Sequence, residues 1–341
     1  MNDIIDVSNL RKVILTSADQ FSEGFAVAKG VVIDENFDKV AVSGMGGSAL
    51  HIDVLLTYLK DVFAQDVESK HITFYQNRTY KLPVEAYENC LNIICSHSGN
   101  TEETITSFEE ALKNNLPCVG ISAGGRIEEM CKKNNVPHIK LPIPFENFQP
   151  RMATGHFVSA ILQILIDTKK IPDVSKKIVD EISEEIRTDI ALYEKIGREY
   201  AKKLVGKTPI IYASDTLQSI ALVWKIKINE NSKVPAFWNY FPELNHNEFV
   251  GFTNPQAQFS ILILRDKNDH PRNIVRYDAT AIALREKGLD VNIIDIVDGD
   301  MFRKLFSTIG LCDWISYYLA LEYGQDPTPV DMVEDFKKAI E

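Results

Sequence analysis

Apolar residues along this chain fall into two alternating patterns. Short runs bounded by glycine, proline or polar clusters read as strands at Lys39 to Ser43, Ile72 to Tyr75, Asn92 to Cys95, Cys118 to Ser122 and His138 to Leu141. Between them the apolar positions recur at helical spacing, as in Ala49 to Leu59, and residues 1 to 35 read as an introductory helical segment. A long charge-laced helical stretch follows from His156 to about Leu204, with Lys176, Lys177, Glu181, Glu184, Glu185 and Arg187 on a solvated face. The alternation then resumes, with strands at Ile210 to Ala213, Phe259 to Arg265 and Val291 to Ile296 and helices at Leu217 to Glu230, Arg272 to Lys287 and Met301 to Tyr323. Strands alternating with helices predict an α/β fold built on parallel, doubly wound sheets. The expected organisation is a domain over 1–160, a helical bridge over 161–205 and a second domain over 206–341 that ends in a helical tail.

The halves read as divergent copies. Lys39 to Ser48 followed by a helix corresponds to Pro209 to Thr216 followed by a helix, and Asn92 to Gly124 corresponds to Phe259 to Gly299. Two turns of the first copy carry the chemistry. Gly44-Met45-Gly46-Gly47-Ser48 lets the backbone approach an anion closely, and Ser96-His97-Ser98-Gly99-Asn100-Thr101-Glu102 places hydroxyls and free N–H groups at a helix start. Together they read as a phosphate cradle. No Gly-Lys-Ser/Thr follows and no third glycine stands at the dinucleotide offset, so nucleotide binding is disfavoured. In the second copy the hydroxyl-rich turn has become Asp266-Lys267-Asn268-Asp269, whose aspartates would repel phosphate.

The formal charge of −11 argues against nucleic acid or an anionic membrane as partner, because each requires a basic face. A phosphorylated ligand must therefore be drawn in by local N–H groups, hydroxyls and one or two cations. No run of eighteen apolar residues occurs and Met1-Asn2-Asp3 begins no signal sequence, which predicts a cytoplasmic protein. The five cysteines sit mostly beside or within apolar runs without a Cys-x-x-Cys pair and read as reduced core residues.

Four further residues are candidates for acid–base or electrostatic work. Glu230 falls at the end of an apolar-periodic helix, where the dipole disfavours its charged form and suits a general base. His246 lies in Phe237 to Phe249, an aromatic-rich segment with no evident period that reads as a loop, and no second histidine stands at metal spacing. Arg151 follows Pro150 at the entry to a helix, where a cation is better explained by an anionic ligand than by stability. Lys337 falls on the apolar stripe of the terminal helix with Val330, Val333 and Ile340, whereas Lys338 shares the polar face with Asp331 and Glu334.

Taken in order, Gly44 to Ser48, Ser-x-Ser-Gly-Asn-Thr-x-Glu from Ser96, Pro150-Arg151, Glu230 with His246 and the Asp326-Pro327-Thr328-Pro329 tail ending in Lys337 resemble the bifunctional phosphoglucose/phosphomannose isomerases of the sugar isomerase (SIS) domain superfamily, over essentially the full length. The resemblance implies two SIS-type domains and an aldose–ketose isomerase. It implies that Gly46, Gly47, Ser48, Ser96, Ser98 and Thr101 hold the substrate phosphate, and that Glu230 moves a proton between C1 and C2 through a cis-enediol. His246 and Lys337 would assist ring opening and closure, and Arg151 would stabilise the enediolate. No metal or cofactor is implied. Homodimers are, with His246 entering the site from either subunit. Discrimination between glucose and mannose phosphates would involve a small residue near the terminal lysine, for which Thr328 is nearest, with Gln325 close by and His97 between the two serines. Two other readings compete: an isomerase acting on an amino sugar phosphate, and a non-catalytic sugar-phosphate sensor.

Overall fold

The computed structural model describes residues 5–34, 36–65 and 72–340. The chain divides into two compact units, Thr16–Glu185 and Met1–Leu15 with Ile186–Glu341. The boundary thus falls inside the stretch expected to bridge two domains, and the first residues group with the second unit.

In Thr16–Glu185, strands β1 (Lys39–Ser43), β2 (Thr73–Asn77), β3 (Cys90–Cys95), β4 (Cys118–Ser122) and β5 (His138–Lys140) form one sheet in the order β2-β1-β3-β4-β5. All pairings are parallel. β3 is buried at every position because helices cover both faces of a central parallel strand. The helices, numbered along the whole chain after α1 (Leu10–Leu15), are α2 (Asp19–Ala28), α3 (Leu50–Gln65), α4 (Glu102–Lys113), α5 (Gly125–Asn134) and α6 (Thr154–Asp167). Buried Gln20 of α2 fixes the entry to α6, accepting from Gly155 N at 3.1 Å and donating to Met152 O at 2.7 Å.

In the other unit, β6 (Thr208–Ser214), β7 (Phe237–Phe241), β8 (Phe259–Arg265) and β9 (Asp290–Asp295) form a parallel sheet in the order β7-β6-β8-β9. This is the order of the first four strands of the other sheet, as a duplication predicts. Its helices are α7 (Ser183–Leu204), α8 (Gln218–Ser232), α9 (Pro271–Glu286), α10 (Met301–Glu322) and α11 (Asp331–Ile340). Buried α8 and α10 are locked by Lys227 Nζ to Asp313 Oδ1 at 2.6 Å, Asn231 Nδ2 to Ser316 Oγ at 2.9 Å and Trp224 Nε1 to Thr308 O at 3.0 Å.

Several expectations are corrected. Phe237–Phe241, read as loop, is edge strand β7; aromatic side chains on both faces, Trp238 and Tyr240 on one and Phe241 on the other, erase the apolar–polar alternation that marks a half-buried strand. The stretch from His156 to Leu204 is two long helices, interrupted by Ile171-Pro172-Asp173 and a π turn at Ile178–Ile182. Proline cannot continue a helix interior. Helix in the first 35 residues is confined to α1 and α2 apart from Ile5; residues 1–4 and 35 lie outside the described part. α8 runs two residues past Glu230, to Ser232. All five cysteines are free thiols, and burial pushes those of Cys90 and Cys118 up to about 11.

Candidate active site

An open parallel sheet forms its ligand crevice at the carboxyl ends of the two neighbouring strands whose connections leave in opposite directions. In Thr16–Glu185 those strands are β1 and β3, and the two glycine- and hydroxyl-rich turns are their carboxyl-terminal extensions. The fold therefore sets the two turns side by side. They are also bonded: the His97 N–H donates to Ser48 Oγ at 2.9 Å. That bond occupies a lone pair of Ser48 and leaves its hydroxyl hydrogen available for an anion. Ser96 Oγ accepts from Gly99 N at 3.1 Å and shares a hydrogen with Thr101 Oγ1 at 2.8 Å.

Thr101 stands at the N-cap of α4 without capping it. The first N–H groups of α4 thus have no side-chain acceptor there, the condition under which a helix start receives an anion. Ser98 is exposed beside them. Asn100 serves structure instead: its Oδ1 accepts from Arg126 N at 3.1 Å and so caps α5. Gly99, with φ of +72°, lies so near Gly124 O that a Cβ would sit 1.8 Å from it, so this turn and the start of α5 pack as one piece.

Arg151 belongs to the turn Pro150–Met152 just before α6 and is fully buried. A Cβ on Gly47 would meet Arg151 N at 2.5 Å, so the cradle and this arginine are in backbone contact. The two turns and the backbone of Arg151 therefore lie together at the carboxyl ends of β1 and β3. Three histidines of the same unit are buried. His51 stacks on Phe157 at 4.4 Å with neither ring nitrogen bonded, and burial pushes it down to about 3. His97 lies against Phe148, and burial, helped by His156, pushes it down to about 4. His156 contacts Glu23 Oε2 through Nε2 at 2.6 Å. Burial thus holds His51 and His97 neutral near pH 7. Their polarity was visible in the sequence, but their burial was not.

The remaining candidates lie in the other unit. Glu230 is half-buried near the end of α8. Lys233, the left-handed residue that closes α8 and that the sequence did not single out, donates through Nζ to Glu230 O at 2.8 Å and to Pro327 O at 3.0 Å. It thereby ties the end of α8 to the tail holding buried Thr328, whose N–H donates to Asp326 Oδ1 at 3.0 Å. His246 is exposed in the turn Glu243–His246 after β7. α8 returns to the amino end of β7 and His246 follows the carboxyl end, so a whole strand, about 17 Å at roughly 3.3 Å per residue, separates Glu230 from His246 within one chain. Every residue of α11 is exposed, and Lys337 Nζ pairs with Glu334 Oε1 at 2.7 Å. Glu334, expected on one face with Lys338, also reaches Lys337 through an i, i+3 pair.

The aspartates of the turn after β8 are taken up by side chains of α10 and α9. Lys304 Nζ meets Asp266 Oδ2 at 2.7 Å with both side chains 8 % exposed, and Asp269 Oδ2 accepts from Tyr277 OH at 2.6 Å. Among the described residues, no group of three or more His, Cys, Asp or Glu could hold a metal ion, and no helix is long and apolar enough to cross a membrane.

Residues 194–340 match the family of bacterial phospho-glucose isomerase C-terminal SIS domains. The chain is 32% identical over 335 residues to a bifunctional phosphoglucose/phosphomannose isomerase of Caldicellulosiruptor bescii, covering 94% of this chain and 96% of the relative. It is 31% identical to the protein of the same name in Aquifex aeolicus, covering 88% and 90%. Among solved structures, the C-terminal domain of glucosamine-fructose-6-phosphate aminotransferase from Francisella tularensis superposes with a TM-score of 0.68 over 94% of this chain and 97% of that one, at 16% identity, a likeness of fold.

Proposed function

Because the chain belongs to the bifunctional phosphoglucose/phosphomannose isomerase family, we propose that it interconverts glucose 6-phosphate and mannose 6-phosphate with fructose 6-phosphate. The observation that carries this reading is the hydrogen-bonded pair of turns after β1 and β3, with buried Arg151 against Gly47. In a chain of net charge −11, such a crevice attracts phosphate through local donors alone.

On this reading the phosphate is held by Gly46, Gly47, Ser48, Ser96, Ser98 and Thr101. The sugar opens with help from His246 and Lys337. Glu230 removes the proton from C2 of the aldose and returns it to C1 through a cis-enediol, while the Arg151 guanidinium offsets the charge developing on the enediolate oxygen. No metal or other cofactor is required. The strand's length between Glu230 and His246 supports a homodimer in which His246 serves the partner's site. Thr328, buried and tied to the end of α8 through Lys233 and Pro327, is the residue best placed to tune the choice between C2 epimers. The protein works in the cytoplasm.

The test is incubation with fructose 6-phosphate, with and without chelator, followed by NMR. Both aldose phosphates should form, chelator should have no effect, and Glu230→Gln should abolish turnover while fructose 6-phosphate still binds. Binding without turnover by the native protein would instead support a sensor.

A further inference from the structure

His246 sits in a segment fastened on both sides of it. On one side, Asn245 is held by α9, donating to Thr280 Oγ1 at 2.9 Å and accepting from Arg276 Nη1 at 3.1 Å. On the other, Asn247 donates to Glu243 Oε1 and accepts from Glu248 N, each at 2.5 Å, closing the turn on itself. Glu248 then reaches the sheet. Its Oε1 accepts from Tyr212 OH of β6 and its Oε2 from Asn239 Nδ2 of β7 at 2.5 Å. Tyr212 and Asn239 are register partners on neighbouring parallel strands and so present their side chains on one face. Tyr212 is fully buried, edge-on to Phe241.

The chemistry of this anchor is costlier than stability alone requires. Both oxygens of a half-buried carboxylate are met by neutral donors beside an apolar cluster of Phe241, Leu244 and Tyr277. An amide or an apolar side chain would fill the place with less desolvation. What the carboxylate adds is direction: two charge-assisted bonds to two strands fix the turn in rotation as well as position. The imidazole two residues away is thereby presented outward from a rigid support.

We propose that Glu248, gripped by Tyr212 and Asn239, is a positioning residue for His246. This rests on the assignment of His246 to catalysis. The clamp acts through the backbone of the turn and touches no substrate.

A double-mutant cycle tests it in the full-length protein. Glu248→Ala should lower kcat as far as His246→Gln does, about 10²-fold, with KM for fructose 6-phosphate within about twofold of native. The double variant should be no slower than His246→Gln alone, because a residue acting only through another adds nothing once that other is gone. Glu248→Gln, which keeps the shape but only one of the two acceptor oxygens, should recover only part of the rate, and Tyr212→Phe should lose an intermediate amount. Multiplying effects in the double variant would overturn the proposal, as would a rise in KM. The imidazole resonances of His246 give a readout independent of turnover: Glu248→Ala and Tyr212→Phe should shift and broaden them while the rest of the spectrum stays native. Unmoved resonances overturn the clamp. Native turnover by His246→Gln overturns the catalytic assignment, and the resonances then decide the clamp by themselves.

Discussion

The main-chain N–H of His97 donates to the side-chain oxygen of Ser48 across the gap between the two glycine- and hydroxyl-rich turns, at 2.9 Å. One hydrogen bond thus holds the two turns together and, on the proposed function, leaves the Ser48 hydroxyl hydrogen to the phosphate. Ser48→Ala removes the two effects together. The buried N–H left behind should reduce stability by about 1–3 kcal/mol. KM for fructose 6-phosphate should rise by at least about tenfold, with a smaller change in kcat, since a phosphate contact is made in ground state and transition state alike. Steady-state kinetics and urea unfolding of the same preparation separate the two.

Gly47 offers a steric test. A methyl there would lie 2.5 Å from Arg151 N and 2.9 Å from Pro150 C, both main-chain atoms that a rotamer change cannot move aside. Gly47→Ala should push the Pro150–Met152 turn from the cradle and lower kcat/KM by about 10²-fold, the scale of a displacement near 1 Å. A variant with native kcat/KM would show that Arg151 and the cradle can shift independently.

His51 should make stability fall in acid. Its folded-state value is pushed down to about 3 from an ordinary 6.5, so the unfolded chain takes up a proton that the native one refuses. The stability is fully present above 6.5 and is lost as the pH falls toward 3, by up to about 1.4 kcal/mol per pH unit. His51→Leu removes this term and two unbonded nitrogens. Relative to native protein, the variant should gain stability as the pH drops from about 7.5 to about 5 in urea unfolding. An equal acid sensitivity in both proteins would refute it.

Much of this was legible before the fold was known, and the reasons are physical. The turns Gly44 to Ser48 and Ser96 to Thr101 were readable because glycines and short polar residues break the apolar runs of the two strands they follow, a local requirement that leaves a local trace. The burial of Arg151 against Gly47 was not readable, because that contact joins segments far apart along the chain. The role of Asn100 was not either, since capping the neighbouring helix α5 depends on a contact 26 positions along the chain. β7 was hidden because its edge position lets aromatics occupy both faces. The pairing of Lys337 with Glu334 escaped a reading that divided the terminal helix into faces, because a long ammonium side chain crosses between them.

Asp266 and Lys304 provide a stability test away from the crevice. Each is nearly buried and they meet at 2.7 Å. Asp266→Ala would strand an ammonium, and the expected loss is about 3–5 kcal/mol. Replacing both, as in Asp266→Leu with Lys304→Met, should recover most of it. Thermal melts of the three proteins decide the matter.

That same pair bears on how many guests one chain would receive. Two sheets of one strand order are twins by construction, and twins would ordinarily offer two berths for phosphate. In the second, an internal carboxylate and an internal ammonium already satisfy each other, so the berth is filled by the protein itself. On the proposed function, duplication then leaves room for a single anion per chain, with the second copy kept as a frame for the residues it carries.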